Sequence, residues 1–328
     1  MTNIKNFKVK NVCIIGAGRV GTTVGYLLVN KNLPGLIVKS IASKSLESLN
    51  RAKKILGTQG EKILFSQDNI EGARSCNVIL ICTPDDIIEK VCEQIACTFS
   101  KESDLEENLE EIKNNYKNNK KMIFIHFSGS KSLKVLESAE KAGALTASIH
   151  PLKSFASIEN AIKTLSGTVF GLTYSNNFSK KIASHIVQIL GGTIIEVEDS
   201  KKPIYHAAAC VASNYLVSLI NYAVKIHKGI GIEADVSLKG LMGLIEGTIE
   251  NIKNLGTKKS LTGPIARGDV GTIENHLENF YKYFTKKDAF LYKAMGIETS
   301  GIAFENKWIT KEVFDKFEEL FKESLKDS

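Results

Sequence analysis

Three polar side chains recur at helical spacing in an apolar stretch that begins near residue 200. Lys202, His206 and Asn214 are separated by intervals of four and eight, which place them near one face of a helix. Reduction of a C=O or C=N bond requires a proton donor, and His206 or a desolvated Lys202 is suited to that task. Asn214 is suited to orienting a substrate by hydrogen bonds. The alternative is a core histidine bonded to a carbonyl, with Lys202 in solvent.

A second set of candidates lies in the string LTGPIARGD, residues 261–269. Its glycines and proline fix a backbone geometry that few other residues allow. The guanidinium of Arg267 matches a carboxylate or a phosphate, while Asp269 either holds Arg267 or caps the next helix. A purely structural Arg–Asp pair explains the string equally well. The predicted substrate-binding residues of this loop are Thr262, Gly263, Arg267 and Asp269.

The string HPLKSF, residues 150–155, follows a predicted strand. His150 therefore lies at the carboxyl end of a strand, where ligands collect in open α/β sheets. It lines a substrate site or stabilises the crossover between two domains. His150 and Ser154 are the candidates here for substrate binding.

A glycine-rich loop, GAGRVG, follows the first apolar run. In a dinucleotide-binding turn, Gly16 makes the tight bend, Gly18 lets the backbone approach a diphosphate, and Gly21 permits close packing of helix against strand. The N-terminus of the following helix offers free N–H groups and a partial positive charge. Arg19 and Val20 complete the predicted cofactor loop.

The end of the second strand determines which dinucleotide fits. NAD-selective sites place Asp or Glu there, whereas this chain has Ser43, Lys44 and Ser45. Two hydroxyls and an ammonium suit a 2′-phosphate, and Arg19 is placed to add a guanidinium. The sequence therefore predicts NADP(H) rather than NAD(H).

The nicotinamide end should lie where later strands finish. Short polar segments follow the fourth and fifth predicted strands, and their candidate cofactor contacts are Cys82, Thr83, Pro84, Ser128 and Gly129. Asp85 and Asp86 are predicted to be N-cap residues of the next helix.

Alternating strand and helix patterns predict the fold that holds these residues. Strands are expected at residues 12–15, 36–42, 62–65, 78–82, 122–127, 144–149, 168–173 and 193–197, with helices between them. This predicts an α/β class: a Rossmann-type, doubly wound, mostly parallel sheet. Gly191 is expected to end one of the intervening helices.

From Pro203 onward the pattern is helical, with helices expected at residues 204–227, 236–254, 271–284 and 310–326. We therefore predict a dinucleotide-binding domain at residues 1–200 and an all-α domain for substrate and dimerisation at 201–328. The charged segment at residues 98–121 is expected to be an exposed helix–loop insertion.

Bulk composition narrows the class of protein. The apolar fraction of 43% and charged fraction of 24% are ordinary for a globular chain in the cytoplasm, with no membrane span. The net charge of +7 comes from scattered lysines without interleaved aromatics, so no nucleic-acid partner is expected. The six cysteines form neither a CxxC pair nor a zinc pattern, so no metal site is expected.

Three strings together carry a resemblance: HPLKSF, YHAAA with Asn214, and LTGPIARGD followed by His276. The chain resembles bacterial Rossmann-like oxidoreductases whose C-terminal half is a domain of unknown function. That family is similar in architecture to pyrroline-5-carboxylate reductase, ketopantoate reductase and the 6-phosphogluconate dehydrogenase group. The resemblance covers residues 10–295 and implies a homodimer with the active site between two domains.

The resemblance implies an NAD(P)-dependent oxidoreductase. Together with the residues above, it predicts hydride transfer between NADP(H) and a small carbonyl or imine substrate, with carboxylate-bearing compounds among the candidates. The alternatives are an enzyme like prephenate dehydrogenase and a protein that senses NADP(H) without chemistry. No substrate is assigned by the sequence.

Overall fold

In the computed structural model, which describes residues 10–31, 35–105 and 122–322, eight strands form one sheet. Their order is β3-β2-β1-β4-β5-β6-β7-β8, and every pair is parallel except β6 with β7. The expected α/β, doubly wound, mostly parallel class is confirmed. The strands are β1 Lys10–Ile15, β2 Leu36–Ala42, β3 Leu64–Ser66, β4 Val78–Ile81, β5 Ile123–His126, β6 Leu145–Pro151, β7 Val169–Tyr174 and β8 Thr193–Glu196.

Both faces of this sheet are covered by helices. Successive side chains of β1 alternate between two apolar clusters: Val12 and Ile14 join one, and Cys13 and Ile15 join the other. This explains why the central strands are continuously apolar. The covering helices are α1 Arg19–Asn30, α2 Leu46–Leu56, α3 Asn69–Ala73, α4 Ile88–Leu105, α5 Glu137–Lys141, α6 Ile158–Thr164 and α7 Asn177–Leu190.

Local capping sets several helix ends. The side chain of Asn176 accepts from the N–H groups of Phe178 and Ser179 in a capping box that starts α7. Gly191, in the left-handed conformation with φ 79°, ends the same helix as expected. The predicted N-cap role of Asp85 and Asp86 is wrong, because α4 begins at Ile88. Beyond Leu105, the predicted insertion lies outside the described residues.

The long helix predicted at residues 204–227 is not one regular helix. It consists of α8 Lys202–Cys210, a π-helical turn at Val211–Tyr215, and α9 Leu216–Gly229. The chain divides at this turn into two compact units, residues 1–214 and 215–328. The sequence predicted the domain boundary at residue 200, just before α8 begins, whereas the division into compact units follows residue 214.

The second unit is all helical in its described part. After α9 come α10 Ala234–Lys259, α11 Val270–Tyr283, α12 Lys286–Glu305 and α13 Lys311–Lys322. Helix α12 was not expected from the sequence. Its buried positions carry small or polar residues (Ala289, Lys293, Gly296, Ser300 and Ala303), so it shows no apolar stripe. Gly296 lets the ring of Phe321 approach, since a Cβ there would lie 2.4 Å from that ring.

Among the described residues, one stretch has the length and apolar composition of a membrane-crossing helix. It is Asp199–Gly229, whose most apolar window has a mean hydropathy of 1.4 and no buried residues. The same stretch contains the buried cation Lys202.

Candidate functional site

The glycine-rich loop has the geometry that a diphosphate cradle requires. Gly16 has φ 105°, and a Cβ there would lie 2.8 Å from the carbonyl oxygen of Cys82. A Cβ on Gly21 would lie 1.9 Å from the carbonyl oxygen of Gly16, so the start of α1 packs directly on the turn. A Cβ on Gly18 would meet nothing within 4 Å, which leaves open space above the loop.

Helix α1 begins at this loop without a side-chain cap. Gly18 is the N-cap residue, and the first turn carries no acidic side chain. The amides of that turn therefore keep their capacity to bind an anion, and the helix dipole favours one there. Val20 is partly buried against the apolar cluster of the sheet. The residues present thus fit a dinucleotide diphosphate.

At the end of β2, the three predicted phosphate contacts differ in their bonding. The amide of Ser43 donates to the carbonyl of Ser66 at 3.0 Å, and the hydroxyl of Ser45 caps α2 by accepting from the amide of Ser48. Lys44 is exposed. Arg19 donates to the carbonyl of Phe155 at 2.7 Å, so the structure ties it to the loop after β6.

At the end of β4, one buried polar atom is left without a partner among the described residues. It is the hydroxyl oxygen Oγ1 of Thr83, beside Pro84 and opposite Gly16. Buried hydroxyls in proteins nearly always have a partner, so an orphaned one at this edge fits a bound cofactor. Burial raises the pKa of the adjacent Cys82 thiol, which keeps it neutral.

Asp85 takes a role that the sequence did not suggest. Its carboxylate oxygen Oδ2 accepts from the hydroxyls of Ser128 at 2.6 Å and Ser130 at 3.0 Å. These bonds connect the turn after β4 with the loop after β5. The Ser128 hydroxyl also accepts from the amide of Lys131, and the Ser128 amide donates to Nδ1 of His126. Ser128 is therefore fixed at both its amide and its hydroxyl.

Lys202 is buried, with 2% of its surface exposed, rather than in solvent. Its Nζ donates to the hydroxyl of Ser148 at 2.7 Å and to the carbonyl of Ser128 at 3.1 Å. Burial lowers the pKa of Lys202 to about 8, while the carboxylates of Asp199 and Asp85 oppose this shift. The ammonium form therefore persists at neutral pH and loses its proton more easily than an ordinary lysine.

Two histidines and a tyrosine meet beside this lysine. Nδ1 of His150 lies 3.2 Å from the hydroxyl of Tyr205, and the rings of His150 and His206 pack edge to face at 5.7 Å between centroids. Burial, followed by the charge of Lys202 and then His206, lowers the pKa of His150 to about 4. His150 is thus neutral at physiological pH and serves as a hydrogen-bonding group.

Two glycines make room for these rings. A Cβ on Gly129 would lie 2.5 Å from Cδ2 of His206 and 2.6 Å from Nε2 of His150. A Cβ on Gly171, in β7, would lie 2.4 Å from the hydroxyl of Tyr205. The close approach of α8 to β5, β6 and β7 therefore depends on glycine at both positions.

The structure brings Lys202 and His206 to the carboxyl ends of β5 and β6 but places Asn214 differently. Asn214 is exposed and lies within the π-helical turn. The stretch is therefore not the single regular helix that the sequence predicts, and the role of Asn214 stays a prediction. Ser154 is exposed in the loop after β6.

The LTGPIARGD loop lies in the second unit. Gly263 and Gly268 have φ values of 97° and 71°, which explains the glycines. Asp269 caps α11 by accepting from the amide of Thr272 at 3.0 Å and from its hydroxyl, and these bonds lower the pKa of Asp269. Arg267 and Thr262 are exposed. His276, on α11, contacts the hydroxyl of Tyr292 through Nδ1 at 2.8 Å.

Sequence reasoning missed four members of the group around Lys202: Asp85, Ser148, Gly171 and Tyr205. Ser148 could have been found from the sequence, because it is a hydroxyl within an apolar strand. Such a group is buried and needs a polar partner. The contacts of Asp85, Gly171 and Tyr205 join residues that are far apart in the chain. Among the described residues, no group of three His, Cys, Asp or Glu side chains is placed to hold a metal.

Two family models match this chain, one in each half. Residues 11–109 match the family described as "NADP oxidoreductase coenzyme F420-dependent", and residues 168–299 match "Domain of unknown function (DUF2520)". The chain is an NAD(P)-dependent oxidoreductase. The resemblance inferred from the three strings is confirmed, and the family description agrees with the expected NADP. No curated protein matches the sequence.

Solved structures show the same fold. Protein TM1727 from Thermotoga maritima is 23% identical, with a TM-score of 0.67 over 90% of this chain and 99% of that one. A proposed NADP oxidoreductase, BF3122 from Bacteroides fragilis, is 18% identical, with a TM-score of 0.62 over 90% and 98%. Pyrroline carboxylate reductase from Plasmodium falciparum, with NADP bound, is 15% identical, with a TM-score of 0.51 over 91% and 100%. At these identities the likeness concerns the fold.

Proposed function

We propose that this oxidoreductase reduces a small carbonyl or imine compound with NADPH, and that Lys202 is the proton donor. The observation that carries the proposal is the placement of Lys202 Nζ, held by Ser148 and Ser128 at the carboxyl ends of the sheet. An ammonium has three N–H donors, and these two contacts engage two of them. The third has no acceptor among the described residues and is available to a substrate oxygen or nitrogen.

The reaction balances with these groups. When held by the loop around Gly16 and Gly18, NADPH would supply a hydride for the carbon of the C=O or C=N bond. The Lys202 ammonium gives its proton to the oxygen or nitrogen, which becomes an alcohol or an amine, and solvent returns a proton to the lysine. A donor pKa of about 8 suits this exchange near neutral pH. Neutral His150 and the hydroxyl of Tyr205 orient the substrate.

Our test compares four proteins in NADPH oxidation with a panel of keto acids and cyclic imines: wild type, Lys202→Ala, His206→Ala and Lys201→Ala. Lys201 is a matched control, since it is the exposed neighbour of Lys202 and pairs with Glu198. We expect Lys202→Ala to lose at least about 100-fold in kcat with unchanged NADPH affinity. Full activity in Lys202→Ala would contradict the role of Lys202. Tight NADPH binding without turnover of any panel compound would favour a sensor.

Preference for NADPH is proposed to depend on Lys44 and the hydroxyls of Ser43 and Ser45. The support is that the end of β2 carries no carboxylate and that Lys44 is exposed. Calorimetry should show tighter binding of NADPH than of NADH, and Lys44→Ala should reduce that difference. A matched control is Lys39→Ala, on β2 but before its end. Equal affinities of the wild type for both nucleotides would contradict the proposal.

A carboxylate on the substrate is proposed to pair with Arg267. The support is that Arg267 is exposed and that Asp269 bonds Thr272, so the guanidinium is not occupied by that carboxylate. Arg267→Ala should raise KM for keto acids by about 10-fold or more and leave KM for the matching neutral ketones unchanged. Equal effects on acids and neutral ketones would contradict this pairing.

A homodimer is proposed from exposed apolar side chains on α8, on the π-helical turn and on the helices that follow it. Ile204, Val211 and Val217 are 77%, 58% and 68% exposed, and α10 adds exposed Val236 and Leu244. Clusters of large exposed apolar side chains often mark protein–protein contacts. Light scattering should give twice the mass of one chain. A monomer mass, or association with lipid vesicles, would contradict the proposal. The cytoplasmic location and the absence of a nucleic-acid partner stay predictions.

A further inference from the structure

The polar group around Lys202 includes one carboxylate that does not touch the lysine. Asp85 Oδ2 accepts from the Ser128 hydroxyl, and the carbonyl of the same Ser128 accepts from Lys202 Nζ. One residue thus connects the turn after β4 with the ammonium on α8. The hydroxyl of Ser148 closes the group, since it donates to the Ser128 carbonyl at 3.3 Å and accepts from Lys202.

We propose that Asp85 is a positioning residue for Lys202: through the hydroxyl of Ser128 it fixes the carbonyl that accepts the ammonium, and its charge stabilises that ammonium. This inference rests on the proposed role of Lys202 as proton donor. Both hydroxyl contacts of Asp85 use its Oδ2, which faces the loop after β5, and α4 begins only at Ile88. The loop after β5, FSGSKS at residues 127–132, is therefore oriented by a carboxylate that lies outside the loop.

Charged and titratable groups face Lys202 from several elements. Asp85 comes from the turn after β4, Asp199 from the segment before α8, His126 from β5 and His150 from β6. Burial lowers the pKa values of His126 and His150 to about 3 and about 4, so both are neutral near pH 7. The two carboxylates are then the groups that stabilise the ammonium form. Removing one of them should lower the pKa of Lys202 further.

Asp85→Asn tests the proposal because it keeps an acceptor oxygen and removes the charge. The pKa of Lys202 is measured directly by NMR titration of full-length protein with ¹³C-labelled lysine, and the signal is assigned with Lys202→Arg. We expect Asp85→Asn to lower this pKa by roughly 0.5, because the carboxylate is partly exposed and screened. The basic limb of the kcat profile should move by the same amount. Asp86→Asn, the adjacent exposed control, should change neither.

Ser128→Ala separates the effect of the hydrogen bond between Asp85 and Ser128 from the effect of the Asp85 charge. It retains Asp85 but removes the hydroxyl that Asp85 holds, so kcat should fall about 10-fold with a smaller change in the Lys202 pKa. If Asp85→Asn does not fold, Asp85→Glu and Ser130→Ala test the same contacts. An unchanged Lys202 pKa in folded Asp85→Asn would overturn the inference. Full activity in Lys202→Ala would instead refute the proposed function, and the NMR titration remains independent of that result.

Discussion

Nζ of Lys202 lies 2.7 Å from Oγ of Ser148, and this contact joins the start of α8 to the middle of β6. A buried ammonium is costly unless hydrogen bonds and nearby negative charge compensate for lost hydration. Here two acceptors and two carboxylates supply that compensation, and the pKa still falls to about 8. A buried cation with a perturbed pKa at the carboxyl ends of the strands is a candidate for a functional role, which the proposed function assigns to Lys202.

The first prediction concerns the pH dependence of reduction. The reaction needs protonated Lys202, and its pKa is about 8, so kcat for reduction should be constant below pH 7 and fall as the pH rises through 8. Oxidation of the product needs the neutral amine and should show the opposite limb. The measurement is kcat in both directions from pH 6 to 10, within the stable range of the protein. Reduction that is equally fast at pH 7 and pH 9.5 would refute the assignment.

The second prediction concerns stability. The folded-state pKa of Lys202, about 8, lies below its ordinary value of 10.5, so the unfolded chain binds more protons between these two pH values. The free energy of unfolding should therefore rise with pH across this interval, relative to Lys202→Met, by at most about 3 kcal/mol. Urea titrations of both proteins at pH 7.5 and pH 10 measure the difference. If the two proteins differ by the same free energy of unfolding at both pH values, Lys202 is not desolvated.

The N-terminal half of the fold follows closely from local sequence signals. Buried strands such as β4 and β5 are short, continuously apolar runs that end in turns, and the glycine spacing around Gly16 has a specific backbone reason. The strand predicted at residues 62–65 lies at Leu64–Ser66, because a 3₁₀ segment at Gly57–Lys62 uses the preceding residues. The sequence pattern predicted a mostly parallel sheet, but it did not predict the strand order or the register.

The candidate site was less accessible to such reasoning. Lys202 and His206 stand out because polar residues interrupt an apolar helix, whereas Asp85 looks like an ordinary helix cap. Its true partners, Ser128 and Ser130, are more than forty residues away, and only the sheet order brings β4 next to β5. Likewise, nothing in the local pattern marks the π-helical turn that contains Asn214.

The third prediction separates two glycines of the cofactor loop. Gly21→Ala should destabilise the fold by more than about 2 kcal/mol, because its Cβ would overlap the carbonyl of Gly16. Gly18→Ala should fold with nearly wild-type stability, since its φ of −75° suits alanine and its Cβ meets open space. It should nevertheless weaken NADPH binding at least about 10-fold, because the diphosphate must approach that backbone. Thermal melts and calorimetry measure both effects; unchanged NADPH affinity in Gly18→Ala would place the diphosphate elsewhere.

The fourth prediction concerns Gly129, which lies under the rings of His150 and His206. In Gly129→Ala the new methyl group would overlap both rings, so one of them must move away from Lys202. Because the loop around Gly16 and Gly18 is unchanged, the variant should still bind NADPH, while kcat/KM falls at least about 10-fold. Gly240→Ala on α10, where a Cβ meets nothing within 4 Å, is the matched control and should keep full activity. If Gly129→Ala turns over the substrate as fast as the wild type, the two histidines do not act where the structure places them, and the site must be sought away from the ends of β5 and β6.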